Sequence, residues 1–320
     1  MTLEEFNAKR RKERKIEDFI SLKKEEQLYY DFTNDTNSSK YKENLDIINK
    51  YFIYRARHTK IDNIALFEKN HPKAYNYISN IQEKREYDGI YDPDSNSPFL
   101  QEIYNKLWYN YQLDKKDYMK YSNDGFISGD TMTSFATSLN ISLGGYYTSA
   151  RCFDEYDGGK GQKIINAILS NHNLYEFMKL YHTIGNFIPV PYGPEPYYGF
   201  NVNRSNFGKH DYFHLALLKI KEYYKNRNDE ILKELLNDVD GKKTALISNT
   251  KAWLNEFGDY KTFVIDNYLQ DYDKYLNKLN KLIPWDEGKR KYKNNNKFLK
   301  LQCKIIKRRS KRMLKKLSKD

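Results

Sequence analysis

The sequence predicts a mainly α-helical protein with minor β-structure, with an α+β arrangement as the alternative. We expect a single helical globular body and a basic amphipathic C-terminal helix. Long segments carry apolar residues at the three- and four-residue spacing of helices. Hydrophobic residues make up 39% of the chain and aromatic residues 16%, enough for a core despite a mean hydropathy of −0.91. The sequence has no repeat of solenoid length and no composition break before residue 284, so it does not indicate separate domains.

The N-terminal region, residues 1–84, is predicted to be helical. The segment Leu3 to Asp31 lacks Gly and Pro and has helical periodicity. A second helix is predicted around Leu45 to Phe52. A third is predicted from Ile61 to Lys84, where the His71-Pro72 pair marks a turn or a new first helical turn.

The main region, residues 85–287, is predicted to be continuous with the first. A turn-rich segment precedes an aromatic helix at Phe99 to Tyr111. Tyr118 to Ile127 contains strand-like pieces. Next, Ser128 or Asp130 is expected to cap the start of a helix.

The second half of the main region alternates helices with loops. Residues 144–161 are loop-like, and residues 182–213 hold four of the eight prolines and four of the fifteen glycines, so they cannot form one regular element. Helical periodicity predicts helices at Lys163–Leu169, Leu174–Tyr181, His210–Lys225, Glu230–Leu236, Lys243–Phe257 and Lys261–Leu282.

The last region, residues 288–320, is a basic tail. It has fifteen Lys and Arg against one acid, a net charge of +14, whereas the rest of the chain carries −2. Its apolar residues form one narrow helical stripe: Leu299, Cys303, Ile306, Met313 and Leu317. Three uses stay open: binding to nucleic-acid phosphate, docking of the stripe on the body or a partner, and adsorption to anionic lipid.

Binding to RNA or DNA is the use we favour for the tail, because each cation that meets a phosphate releases counterions. The residues expected to make these contacts are Lys289, Arg290, Lys291, Lys304, Lys307, Arg308, Arg309, Lys311, Arg312, Lys315 and Lys316.

Several classes of protein are disfavoured by the sequence. No apolar run approaches the ~18 residues of a membrane span, and two cysteines are too few for a disulfide scaffold, so we expect a cytoplasmic protein. The common nucleotide-binding, hydrolase and thiolate motifs are missing from the sequence, and we expect no cofactor. A divalent-metal site is the weaker interpretation of Asp92, Asp94, Asp130 and Asp154, because turns and caps explain them; we expect no metal.

Four motifs occur in order: DPDSNSPF at 92–99, DGFISGDTM at 124–132, TIGNFIPVP at 183–191, and Arg204 followed by DYFHL at 211–215. With the segment around Trp253 to Leu269, they resemble a bacterial family known only as a domain of unknown function. The resemblance covers about residues 85 to 290. It implies a single body without an established activity, and it leaves the basic tail as an addition.

The segment from Arg204 to His210 resembles the short Arg/His signature of the HEPN superfamily, which includes metal-independent ribonucleases. The resemblance implies that Arg204 offsets charge on the scissile phosphate while His210 moves a proton, with His182 as a second acid/base. Gly208 weakens this interpretation. The alternatives are that Arg204 holds a loop, that His210 caps a helix, and that His182 is a buried structural histidine.

Together these features predict a cytosolic bacterial or phage-encoded protein that binds RNA or DNA, with an endoribonuclease centre at Arg204, His210 and His182 if it is an enzyme. The alternative is a non-catalytic protein-interaction module whose basic tail docks on a partner or on its own body.

Overall fold

The computed structural model describes residues 1–9, 13–32, 64–70, 72, 97–120, 125–134, 170–193, 199–200, 212–282, 285–286, 289–290 and 295–319. Within these residues the chain is mainly helical, with two small antiparallel strand pairs. The predicted fold class is confirmed.

Three short helices lie at the N-terminus: α1 (Leu3–Ala8), α2 (Ile16–Ser21) and α3 (Lys24–Leu28). The prediction of one helical segment was wrong in its continuity, because Lys9 and Leu22 adopt extended backbone and end α1 and α2. The structure describes α4 (Ile64–Asn70) from the predicted third helix. The predicted second helix lies outside the described residues.

The aromatic helix is confirmed as α5 (Pro98–Leu107). Ser97 caps it by accepting a hydrogen bond from the Leu100 amide, and Pro98 occupies its first turn. The predicted last turn is instead the first of three 3-10 turns: Tyr109–Tyr111, Leu113–Lys115 and Asp117–Met119.

A two-stranded antiparallel sheet lies where a helix start was predicted. Strand β1 (Gly129–Thr131) pairs with β2 (Phe187–Pro189), and Asp130 lies opposite Ile188. The prediction of a cap at Ser128 or Asp130 was wrong, because pairing with a distant segment takes up the backbone groups there. Of the strand-like pieces before it, the described residues 118–120 and 125–127 show one bridge, between Lys120 and Ile127, and residues 121–124 lie outside the described residues.

The next helices follow the predictions with small shifts at their ends. They are α6 (His172–Leu180), α7 (Phe213–Asn226), α8 (Asp229–Leu235) and α9 (Thr244–Glu256). A 3-10 turn, Ile184–Asn186, leads from α6 into β2. The predicted helix at 163–169 and the predicted loop at 144–161 lie outside the described residues.

The single helix predicted at 261–282 was wrong, because two helices occupy it: α10 (Tyr260–Asp266) and α11 (Gln270–Leu282). Tyr268 has a φ of 59°, and the amide of Leu269 donates to the carbonyl of Val264 at 2.7 Å. This hydrogen bond closes α10 before α11 begins. A hairpin of β3 (Trp285–Asp286) and β4 (Lys289–Arg290) follows.

The C-terminal helix, α12 (Asn295–Leu317), runs through the core and has 23 residues. It packs against α6, the Ile184–Asn186 turn, α11, α5 and the N-terminal helices. The predicted stripe is buried, and so are Phe298, Leu301, Ile305 and Leu314, which widen it. The predicted basic amphipathic helix is therefore present, and its apolar face docks on the protein's own body.

Candidate nucleic-acid interface

Five lysines form an exposed row on the C-terminal helix, which we name the ridge: Lys297, Lys300, Lys304, Lys311 and Lys315. Their spacing of three, four or seven residues places them on the helix face opposite the buried stripe. At a rise of about 1.5 Å per residue the ridge is about 27 Å long. No ion pair joins these lysines to another described residue.

Three other cations of the helix are held by acids from neighbouring helices. Lys307 contacts the carboxylate of Glu176. Arg308 donates to Asp271 at 3.0 Å, and Arg312 contacts the second oxygen of the same carboxylate. Because Asp271 is 3% exposed, these arginines hold α12 against α11.

Arg309 is fully buried and does not belong to the surface. Its guanidinium donates to the carbonyl oxygens of Gly185 at 3.0 Å and Asn267 at 3.2 Å. Burial lowers the pKa of Arg309 to about 10, so the side chain is still a cation at neutral pH. The Asn267 carbonyl follows the end of α10, and the Gly185 carbonyl belongs to the Ile184–Asn186 turn. The dipoles of these backbone groups stabilise the cation.

A half-exposed tyrosine extends the positive surface onto α11. The ammonium groups of Lys274 and Lys304 lie 5.7 and 5.8 Å from the ring centre of Tyr275, and Arg308 donates to its hydroxyl at 3.4 Å. Partial burial raises the pKa of Tyr275, but the hydrogen bond from Arg308 and the two lysines outweigh it and lower that pKa. The direction of this shift indicates a locally positive potential.

The remaining predicted nucleic-acid contacts are dispersed. Lys289 and Arg290 lie on β4, and Lys291 is outside the described residues. Lys316 is exposed beside Lys315 in the last turn of the helix.

Of the predicted catalytic residues, Arg204 and His210 lie outside the described residues. His182 is 1% exposed, and its ring lies between Tyr181 and Phe187, 3.6 and 6.0 Å from their ring centres. Its Nδ1 is 3.9 Å from a carboxylate oxygen of Asp31, and its carbonyl accepts the amide of Phe32. The His182 ring is therefore buried, and its role as a second acid/base stays a prediction. Of the four aspartates weighed for a metal, Asp130 lies on β1, 4% exposed, and Asp92, Asp94 and Asp154 are outside the described residues.

Two ridge lysines, Lys297 and Lys300, were missing from the predicted contact set. Their signal was available, because they continue the helical spacing of Lys304, Lys311 and Lys315. The contribution of Lys274 to the positive surface could not be predicted from the sequence, because it depends on how α11 packs beside α12.

These features define a helical protein whose C-terminal helix is both part of the core and the carrier of a cationic surface. None of the described helices combines the length and apolar character needed to cross a membrane. The chain belongs to DUF6994, a family of unknown function, whose model matches residues 77–313. The match includes most of the C-terminal helix, so the expectation that the basic tail is an addition to the family was wrong. No curated protein and no solved structure matches the chain.

Proposed function

We propose that this protein is a cytosolic, bacterial or phage-encoded nucleic-acid-binding protein that uses the ridge to bind RNA or DNA. The observation that carries the proposal is the row of five exposed lysines, unpaired with any acid among the described residues. On the same helix Arg309 is buried, and Lys307, Arg308 and Arg312 are held by carboxylates. A row of cations about 27 Å long can follow several consecutive phosphates.

The C-terminal helix is anchored in the core, and this favours binding by a fixed row of lysines over binding by a flexible tail. The ridge lysines project from a backbone fixed by buried residues such as Phe298, Ile305 and Met313. Binding therefore orders only the lysine side chains and not the backbone, which lowers the entropic cost of association.

Endoribonuclease activity stays a prediction that depends on Arg204 and His210. The same binding reactions test it when their products are separated on a denaturing gel. Loss of cleavage in a His210→Ala variant that still binds would assign the activity to this residue.

The test of the ridge compares two triple variants of the full chain. The first is Lys304→Gln, Lys311→Gln and Lys315→Gln. The control, Lys24→Gln, Lys115→Gln and Lys225→Gln, removes the same charge from exposed lysines elsewhere. Removal of the whole helix is unsuitable, because it would take Phe298, Ile306 and Met313 out of the core.

Affinity for a labelled RNA and for a DNA duplex is measured across a salt series. We expect the ridge variant to bind more weakly and its logarithmic salt slope on single strands to fall by about 2, since each phosphate contact contributes roughly 0.7. The control should keep the wild-type slope. Equal losses in both variants would attribute binding to net charge, and absence of binding at low salt would overturn the proposal in favour of a protein partner.

A further inference from the structure

An open cleft of about 690 Å³ lies beside the C-terminal end of the ridge. It is bounded by the end of α5 with the following 3-10 turn, by the link between α10 and α11, and by the last turns of α12. Its volume is in the range of clefts that hold small ligands.

Aromatic side chains form the wall of the cleft. The ring of Tyr109 is 74% exposed, and Tyr111 and Tyr268 are half-buried. Buried Trp108 supports Tyr268: its ring meets Tyr268 edge-on at 5.6 Å, and its indole N–H donates to Asn267 at 3.1 Å. Tyr268 is thus held by the core, while Tyr109 offers a ring to solvent, as a stacking platform requires.

The backbone at Tyr268 is unusual for so large a residue. Its φ of 59° lies in the left-handed region, where glycine is favoured. In this position a tyrosine stands where glycine is usual, and its ring packs against Trp108. Strained residues of this kind concentrate at binding sites.

The charges around the cleft favour an anion. Lys106 and Lys316 border it together with one acid, Asp266, and with Arg312, whose charge is paired with Asp271. The hydroxyl of Tyr111 donates to that acid and occupies one of its acceptor positions. Lys316, which borders the cleft, and ridge residue Lys315 are both exposed in the last turn of α12, so the cleft adjoins the C-terminal end of the ridge.

We infer that the cleft receives an unstacked base of a single-stranded nucleic acid whose neighbouring phosphates lie on the ridge. The inference rests on the proposed function and assigns its ligand class. A base inside a duplex is already stacked and paired, whereas a base in a single strand is free to stack on Tyr109. Lys106 and Lys316 would then meet the phosphates on either side of that base.

The experiment uses the full chain and two variants, Tyr109→Ala and Tyr109→Phe. The probes are a 12-nucleotide RNA, the DNA of the same sequence, and the corresponding duplexes, each also prepared with one 2-aminopurine. Loss of the exposed ring should weaken single-strand binding about tenfold and leave duplex binding unchanged. Tyr109→Phe keeps the ring and should bind like the wild type. Quenching of 2-aminopurine on binding should be lost in Tyr109→Ala only.

Two results separate this inference from the proposed function. Single-strand affinity and quenching that are unchanged in Tyr109→Ala would overturn the cleft inference, while the ridge variant could still lose binding. Equal weakening of single strands and duplexes in Tyr109→Ala would also overturn it. Failure of the wild type to bind any of the four probes would overturn the proposed function and this inference with it.

Discussion

The guanidinium of Arg309 donates a hydrogen bond of 3.0 Å to the carbonyl oxygen of Gly185. This contact joins the centre of the C-terminal helix to the turn that precedes β2. The absence of a side chain on Gly185 lets the turn approach the helix closely enough for the contact, so the two residues depend on each other.

Replacement of Arg309 by methionine should destabilise the fold by about 3 kcal/mol. The carbonyls of Gly185, Phe187 and Asn267 would lose their donor inside the core, and an unsatisfied buried group costs about 1–3 kcal/mol. Urea unfolding measures the change. Lys311→Met, on the exposed face of the same helix, is the control and should change stability by less than about 0.5 kcal/mol. Equal stability of the two variants would contradict the role assigned to Arg309.

Gly185→Ala should cost about 1–3 kcal/mol through overpacking. A Cβ at this position would overlap the Ser310 hydroxyl and the main-chain carbonyl oxygen of Ile306. Because the carbonyl belongs to the helix backbone, adding Ser310→Gly should rescue only part of the loss. Gly241→Ala, where φ is 71° and nothing lies within 4 Å, measures the cost of a left-handed backbone alone. Full rescue by Ser310→Gly in thermal unfolding would show that the helix backbone does not contribute.

Much of the helical fold was predictable, because apolar periodicity alone marks α5, α7 and α9. The break between α10 and α11 was not, since the left-handed position is filled by Tyr268 and not by the glycine that signals a helix end. β1 was mistaken for a helix start because local capping chemistry gave no information about its pairing with β2.

The helix that carries the candidate site was predictable, but the pairing and burial of its individual basic residues were not. The spacing of the basic residues indicates a cationic face, but Asp271 and Glu176, which engage three of those cations, come from distant helices. Arg309 was assigned to the surface because an arginine is rarely fully buried. Only the carbonyls supplied by the tertiary structure explain its place in the core.

The pH dependence of stability should reveal the pairing of Glu176 with the C-terminal helix. Burial raises the pKa of Glu176, but hydrogen bonds from Lys307 and Tyr29 outweigh it and hold that pKa below its usual range. The unfolded chain therefore binds the proton more tightly than the folded chain. The contribution is fully present above the ordinary glutamate pKa and is lost as pH falls through the folded pKa.

The measurement is the free energy of unfolding of the wild type and of Glu176→Gln between pH 7 and pH 3. We expect the wild type to be more stable by about 1–2 kcal/mol at pH 7, because a charged acceptor is replaced by a neutral one. The difference should shrink as the pH falls, since a protonated Glu176 resembles glutamine. A difference of constant size across this range would show that packing, and not the charge, accounts for the effect.

Asp271→Asn should change stability and nucleic-acid binding in opposite directions. Asp271 holds both Arg308 and Arg312, so the neutral side chain weakens the contact between α11 and α12 and should cost about 1–3 kcal/mol. The same change releases two guanidinium groups beside the ridge. Affinity for a single strand should rise severalfold at low salt, and the salt slope should steepen by about 1.

The control for this prediction is Asp273→Asn, which removes the same charge from the same helix. Asp273 pairs with Lys221 of α7 at 3.0 Å and has no contact with the two arginines among the described residues. Its substitution should leave the salt slope unchanged. Equal gains in affinity in both variants would attribute the effect to net charge, and tighter binding by Asp271→Asn alone would place Arg308 and Arg312 at the phosphate chain once their acid is removed.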